Sequence, residues 1–217
     1  MREKKKKTVF TVLSKTDHFL ANYAALLAKS MSLDLVLYLD STKIYSDVFT
    51  MSQKIRENLE IKITISQKKA NMFSWLTSIS DIAKEENAEI VILNLCKEKV
   101  GFFGESIWDK AQKLNMPIIL LPDNYMFDEF KNIVISADSS MKIQKTGVVI
   151  RLAKCFDSEI HIFKENVENT VEQNKIEIIS RNISMFLKEN KINFIVKKAR
   201  NTKKQLKFDM QAFTINS

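Results

Sequence analysis

The chain has 217 residues, 45% of them apolar, which suffices for one large domain or two small ones with a real core. Its formal net charge is +8, and it contains only three glycines and two prolines, against roughly 15 and 11 in ordinary usage. Loops that cradle phosphate groups need glycine so that the backbone can approach the anion, and this composition argues against such a loop.

The charge distribution and the cysteines exclude further classes of function. Lys4 to Lys7 are interpreted as a solubilising arm, and the other lysines are scattered without interleaved aromatic rings, so no nucleic-acid partner is expected. Cys96 and Cys155 show no metal-binding spacing. No signal peptide is recognised, and the apolar runs are far shorter than the roughly 20 residues that span a bilayer. We therefore expect a cytoplasmic protein without a membrane partner.

Apolar periodicity predicts strands that alternate with helices along the first half of the chain. The predicted strands cover residues 9–13, 33–39, 61–65, 90–95 and 117–121, and the predicted helices cover residues 18–31, 46–58, 71–86 and 106–114. Because Ile61, Ile63 and Ile65 alternate with polar residues, the third strand is expected near a sheet edge. Alternation of this kind favours right-handed crossovers and a mainly parallel sheet.

A polar and aromatic segment, residues 123–131, is interpreted as a linker between a first domain at 8–122 and a second at 132–217. In the second domain, strands at 133–137, 159–163 and 193–196 alternate with helices at 142–156 and 171–189. Residues 200–217 are weakly patterned. The second domain is therefore predicted to lack at least a last helix and a last strand.

One segment of the chain occurs twice. YAALLAKSMSLDLVLYLD (residues 23–40) recurs as GVVIRLAKCFDSEIHIFKE (residues 147–165), and each copy follows a short apolar strand. The copies align without a gap through Ala28 and Ala153, after which Asp34 pairs with Glu159. Their separation is too long for a solenoid, whose period is about 20–50 residues. The repeat predicts two related α/β domains in tandem.

Three segments together resemble the universal stress protein family. The first is the repeated helix-to-strand stretch; the second, GESIWDKAQKLNMPIILLP (residues 104–122), is similar to that family's closing helix and apolar last strand. The third, IVISADSS (residues 133–140), is similar to its first strand, which ends in an aspartate. The resemblance implies a doubly wound, five-stranded parallel sheet of the adenine nucleotide alpha hydrolase type, followed by a partial second copy.

The resemblance also implies where a nucleotide site would lie. Members of the family that bind ATP carry Gly-x-x-Gly, a spacer and then Gly-Ser or Gly-Thr after the fourth strand, and this loop wraps the phosphates. Here Asn94 stands where the first glycine is expected, and the stretch from Asn94 to Gly104 is shorter than that motif. Glu105 replaces the usual Ser or Thr ahead of Ser106, so a carboxylate would face the phosphates.

The position of the family's base-contacting aspartate, at the end of the first strand, differs between the two copies. Ser14 lies nearest to it in the first copy, and Asp17 comes a few residues late. Asp138 matches it in the second copy, although Asp138 also suits a helix N-cap. The resemblance thus implies a degenerate nucleotide site at Ser14, Asn94, Gly104, Glu105, Ser106 and Asp138.

We interpret the chain as a non-catalytic module of the stress response that forms a homodimer and binds an unidentified protein partner. ATP binding is expected to be lost from the first domain, with no cofactor. The alternative is an adenine-nucleotide-binding protein that holds ATP or AMP at the carboxyl ends of the strands. An enzyme of the same topology would need a glycine-rich loop after the first strand, which residues 13–17 do not supply. Self-association is predicted at the fifth strand, residues 117–121.

Overall fold

The computed structural model describes residues 6–13, 17–39, 45–68, 75–94, 116–121, 130–137, 146–165 and 167–199. The chain divides into two compact units, with the division between residues 128 and 129. This division falls within the segment interpreted as a linker. Among the helices that the structure describes, none combines the length and apolar character needed to cross a bilayer.

Unit 1 is an α/β sandwich around one parallel sheet. Its elements in chain order are β1 (Thr8–Leu13), α1 (His18–Ser30), β2 (Asp34–Leu39), α2 (Tyr45–Leu59), β3 (Ile63–Ser66), α3 (Trp75–Glu85), β4 (Ala88–Asn94) and β5 (Ile118–Leu121). All paired strands are parallel, and their order is β3-β2-β1-β4-β5. The predicted α/β class with a five-stranded parallel sheet is therefore confirmed. The helix predicted at residues 106–114 lies outside the described residues.

The central strands of this sheet are apolar because both of their faces are covered. All six residues of β1 are buried, which is typical of a parallel strand between two helical layers. On one face, Phe10 and Val36 belong to the same apolar cluster as Ile79 and Ile82 of α3. The strand β3 lies at an edge, as predicted, but it begins at Ile63, so Ile61 lies outside it.

Unit 2 contains a smaller parallel sheet. Its elements are β6 (Asn132–Ala137), α4 (Thr146–Phe156), β7 (Glu159–Glu165), α5 (Thr170–Glu189) and β8 (Phe194–Ala199). The strand order is β6-β7-β8, and both pairs are parallel. Each strand and helix predicted between residues 133 and 196 is present, and residues 142–145 of the predicted helix lie outside the described residues.

The two copies of the repeated segment adopt the same turn between helix and strand. The Leu33 N–H donates to the Ala28 carbonyl at 2.8 Å, and the Ser158 N–H donates to the Ala153 carbonyl at 2.9 Å. The residue before each donor has a left-handed backbone conformation, with φ of 55° at Ser32 and 50° at Asp157. In both units the first three strands are neighbours in the sheet in their sequence order, as β1-β2-β3 and as β6-β7-β8.

Candidate functional site

The candidate site lies where the strand order of unit 1 reverses. β2 and β3 are added on one side of β1, and β4 and β5 on the other. In open parallel sheets, the segments that leave two such neighbouring strands diverge and open a crevice at their carboxyl ends, where ligands bind. In unit 1 this position lies between the end of β1 and the end of β4, and Asn94 is the last residue of β4.

Two polar side chains meet at this edge of the sheet. The Asn94 side-chain Nδ2 donates to Asp17 Oδ2 at 3.2 Å. The other carboxylate oxygen, Asp17 Oδ1, accepts the Leu20 N–H at 3.0 Å, so Asp17 is the N-cap of α1. Its backbone is extended, with φ −102° and ψ 92°, as an N-cap requires. Asp17 thereby connects the end of β4 to the start of α1.

This arrangement changes the electrostatics of the crevice. The N-terminus of a helix carries about half a positive charge and attracts anions such as phosphate. In unit 1 the Asp17 carboxylate already occupies that position on α1. A phosphate placed there would meet a like charge, and two unit charges about 4 Å apart near a protein surface repel by about 4 kcal/mol.

The Asn94 amide is only half satisfied. Its Nδ2 is used by Asp17, whereas its Oδ1 is buried and has no hydrogen-bond partner in the described part of the chain. A buried acceptor without a partner costs about 1–3 kcal/mol, so a donor that reached it would be stabilised. An N–H donor is the chemistry that fits this oxygen.

Of the site residues predicted from sequence, the structure describes one, Asn94. Ser14, Gly104, Glu105, Ser106 and Asp138 lie outside the described residues, so their places in a site stay predictions. Sequence reasoning set Asp17 aside as too late to contact a base, yet Asp17 is the residue that meets Asn94. The only signal for it was its position just ahead of the first helix, which is typical of an N-cap.

The two histidines lie in different surroundings. His161 lies on the central strand of the described three-stranded sheet, with Nε2 2.8 Å from Glu159 Oε1 and 3.3 Å from Asn132 Oδ1. His18 is exposed at the start of α1. Within the described ranges, no group of three or more His, Cys, Asp or Glu side chains could hold a metal ion.

A second concavity in unit 1 is an open groove of about 800 Å³ between α1 and α2. Its floor includes Met51 and Ile55, which are buried, and its rim includes His18, Asp47 and Lys54, which are exposed. Because the rim combines a carboxylate with an ammonium group, it favours neither an anionic nor a cationic ligand.

Comparison with known proteins identifies the fold. No family model matches the sequence, and no curated protein matches it. A solved universal stress protein from Archaeoglobus fulgidus DSM 4304 superposes with a TM-score of 0.59 at 12% identity, over 91% of this chain and 78% of that one. A Pseudomonas aeruginosa UCBPP-PA14 protein described as a universal stress protein gives 0.59 at 11% identity, over 89% and 74%.

A functionally unknown protein from Pseudomonas aeruginosa PAO1 gives a TM-score of 0.57 at 10% identity, over 89% of this chain and 74% of that one. At such identities the likeness concerns the fold, because one fold hosts many functions. This chain has the fold of the universal stress proteins.

Proposed function

We propose that this chain is a universal stress protein-like module that acts by associating with itself and with a protein partner, without catalysis. The observation that carries the proposal is the Asp17–Asn94 contact at the strand-order reversal of a universal stress protein fold. A carboxylate caps the helix at the place where an anion would otherwise be favoured. Unit 2 is proposed to be a partial second copy, supported by its strand order and by the segment that occurs in both units.

Loss of ATP binding from unit 1 is the first testable part of this proposal. Asn94 is the last residue of β4, at the position where the resembled motif has glycine. Glycine has no side chain there, whereas the Asn94 side chain forms a hydrogen bond with Asp17. Calorimetric titration with Mg-ATP is expected to give no dissociation constant in the micromolar range or below. A constant in that range would contradict the proposal.

The matched variant for this titration is Asp17→Asn. Asparagine retains an N-capping oxygen but removes the negative charge. If charge repulsion at α1 opposes phosphate binding, Asp17→Asn is expected to bind Mg-ATP more tightly than the natural chain. If neither protein gives a heat of binding with Mg-ATP, the charge of Asp17 is not the cause of the lost binding. The missing loop glycines are then the explanation.

A second candidate function is adenine-nucleotide binding through the base. It is favoured by Asn94 Oδ1, which is buried and could accept a hydrogen bond from the exocyclic amine of adenine. This candidate predicts that AMP and Mg-ATP bind with similar affinity and that Asn94→Leu, which lacks the acceptor, abolishes both. The proposed function predicts that neither nucleotide binds the natural chain in the micromolar range.

Self-association is the second testable part of the proposal. In unit 1, β5 lies at an edge of the described sheet and consists of four apolar residues, Ile118–Leu121. An apolar edge strand exposes unpaired backbone groups that a second chain can pair with. Light scattering at high micromolar concentration is expected to report a dimer, and a purely monomeric protein would contradict this part.

A further inference from the structure

The strand β8 forms an open edge of the smaller sheet. Within the described residues it pairs with β7 alone, in parallel register. The Ile160 N–H donates to the Asn193 carbonyl at 2.9 Å, and in a parallel ladder only alternate residues face the neighbouring strand. The backbone N–H and C=O groups of Phe194 and Val196 therefore point away from β7, and no partner for them lies in the described part of the chain.

The edge that holds the same place in unit 1 is closed by a side chain. There β3 has four residues, against six in β8. Because the Leu35 N–H donates to the Lys62 carbonyl, the next carbonyl, that of Ile63, points outward. Arg56 Nη2 donates to this Ile63 carbonyl at 3.0 Å. A short strand with a capped carbonyl is a poor template for a further strand, whereas the described edge of unit 2 has no such cap.

Apolar side chains are exposed on both faces of β8. Ile195 is 41% and Val196 is 40% exposed, and successive residues of a strand point to opposite faces. In β3, by contrast, Ile63 is buried, Ile65 is half-buried and the exposed residue is Thr64. A strand added beside β8 would cover Ile195 with one of its side chains and Val196 with the next.

The edge formed by β8 is also basic. The strand contains Lys197 and Lys198 and no acidic residue, and residues 188–204 include seven basic residues and one acidic residue. The glutamates of β7, Glu159 and Glu165, are at the two ends of that strand, one strand inward from the edge. Pairing two copies of β8 would bring together four lysines and no carboxylate. An acidic segment would instead be attracted to this edge.

We propose that β8 binds an extended, acidic segment of a protein partner, which adds to the sheet as a further strand. In this mode of recognition, backbone hydrogen bonds supply affinity and alternating side chains supply specificity. The backbones of Phe194 and Val196 provide the hydrogen-bonding groups. The side chains of Ile195 and Val196 provide the apolar contacts, and Lys197 provides the positive charge. The inference rests on the protein partner in the proposed function and gives that partner a binding surface and a chemical class.

The probe is an eight-residue peptide in which valine alternates with glutamate, and the control peptide has lysine in place of each glutamate. In amide-resolved hydrogen exchange on the full chain, the Phe194 and Val196 N–H groups are expected to gain protection when the acidic peptide is added. The Ile195 and Lys197 N–H groups already face β7 and should change little. No gain at Phe194 and Val196, or an equal gain with the basic peptide, would overturn the proposal.

The same measurement without peptide tests the other occupants of this edge. The Phe194 and Val196 N–H groups are expected to exchange fast in the natural chain, because exposed and unpaired amides are not protected. Protection of both groups before peptide is added would mean that another part of this chain, or a second copy, covers the edge. That result would overturn the proposal.

Substitutions in β8 give an independent measurement, by fluorescence anisotropy of the labelled acidic peptide. Val196→Pro removes an outward N–H but no hydrogen bond to β7, and it is expected to raise the Kd by about tenfold or more. Lys197→Glu, at an exposed position, is expected to raise the Kd by about threefold or more. The matched controls at the edge of unit 1, Ile65→Pro and Lys62→Glu, are expected to leave it unchanged.

Equal effects of the substitutions at the two edges would overturn the proposal. Circular dichroism checks that each variant folds, and Lys197→Glu with its control decides the question if Val196→Pro does not fold. A dimer in light scattering without binding of the acidic peptide would overturn the β8 surface and leave self-association standing. Peptide binding together with a micromolar Kd for Mg-ATP would contradict the proposed function and still support the β8 surface.

Discussion

At the scale of single residues, Asp17 matters because it holds α1 and β4 at once. Its Oδ1 satisfies the Leu20 N–H, and its Oδ2 accepts from Asn94. Removal of an N-cap side chain costs about 1 kcal/mol, so Asp17→Ala is expected to lower the free energy of unfolding by about that amount in urea denaturation. Asp17→Ser retains a capping oxygen and should lose less. Equal losses for Ala and Ser would contradict the capping role.

A second residue-scale feature is the ion pair that joins the segment after β3 to the end of α3. Lys68 Nζ lies 2.7 Å from Glu85 Oε2 and 3.3 Å from Glu86 Oε1. The hydrogen bond that Lys68 donates to Glu85 raises the pKa of Lys68 above its ordinary value of 10.5; burial opposes this increase, and Glu86 adds to it.

The raised pKa of Lys68 gives a pH-dependent prediction. Because the folded state holds this proton more tightly than the unfolded state, the pair stabilises the fold fully below the ordinary pKa and loses its effect as pH rises through the folded pKa. The side chain is 46% exposed, so Lys68→Gln is expected to cost less than about 1 kcal/mol near pH 8. This cost should decrease in paired urea titrations as the pH rises past 10.5, the ordinary pKa of lysine. A cost that grew with pH would refute the assignment.

At the scale of elements, the five described helices all end in the same way. Each is followed by a residue with positive φ, namely Ser32 (55°), Glu60 (54°), Asn87 (58°), Asp157 (50°) and Lys191 (58°). Glycine most often fills this position because it has no Cβ to clash. This chain has only three glycines, and none of these five helix ends uses one.

Glycine at a helix end is therefore expected to stabilise this protein. Lys191→Gly should raise the free energy of unfolding by about 0.5–1 kcal/mol. A residue with a Cβ pays about 1–2 kcal/mol for a left-handed backbone, and glycine removes this cost. The greater freedom of glycine in the unfolded chain offsets part of the gain. The control is Lys188→Gly, three residues earlier inside α5, which should lower it by about 1 kcal/mol. Thermal unfolding of both variants measures the contrast, and destabilisation by both would contradict the explanation.

The elements themselves were predictable and the site was largely not. Apolar periodicity predicted the bounds of β1, α1 and β2 to within about one residue. These bounds were predictable because the order of apolar and polar residues within each element reflects which of its sides are buried. Asn94 was found only through a family resemblance. Its contact with Asp17 joins residues 77 positions apart, and only the order of β1 and β4 in the sheet brings them together.

At the scale of the whole molecule, the two units differ in how well they cover their sheets. In unit 1, Phe10, Val36 and Tyr38 are buried in the cluster that includes α3. The residues at the same strand positions in unit 2 are Val134, His161 and Phe163, and all three are only half-buried. One face of the smaller sheet therefore contributes less apolar burial to its stability.

This difference leads to a prediction for native-state hydrogen exchange. Local opening requires less free energy where few apolar contacts are lost, and the most protected amides lie in fully covered strands. The amides of β6, β7 and β8 are therefore expected to exchange faster than those of β1, β2 and β4, and to do so together, as one cooperative unit. Val134→Ala, on the half-buried face, should change protection less than Val36→Ala, on the covered face, because fewer packed atoms are removed. Equal protection of the two sheets would contradict this explanation.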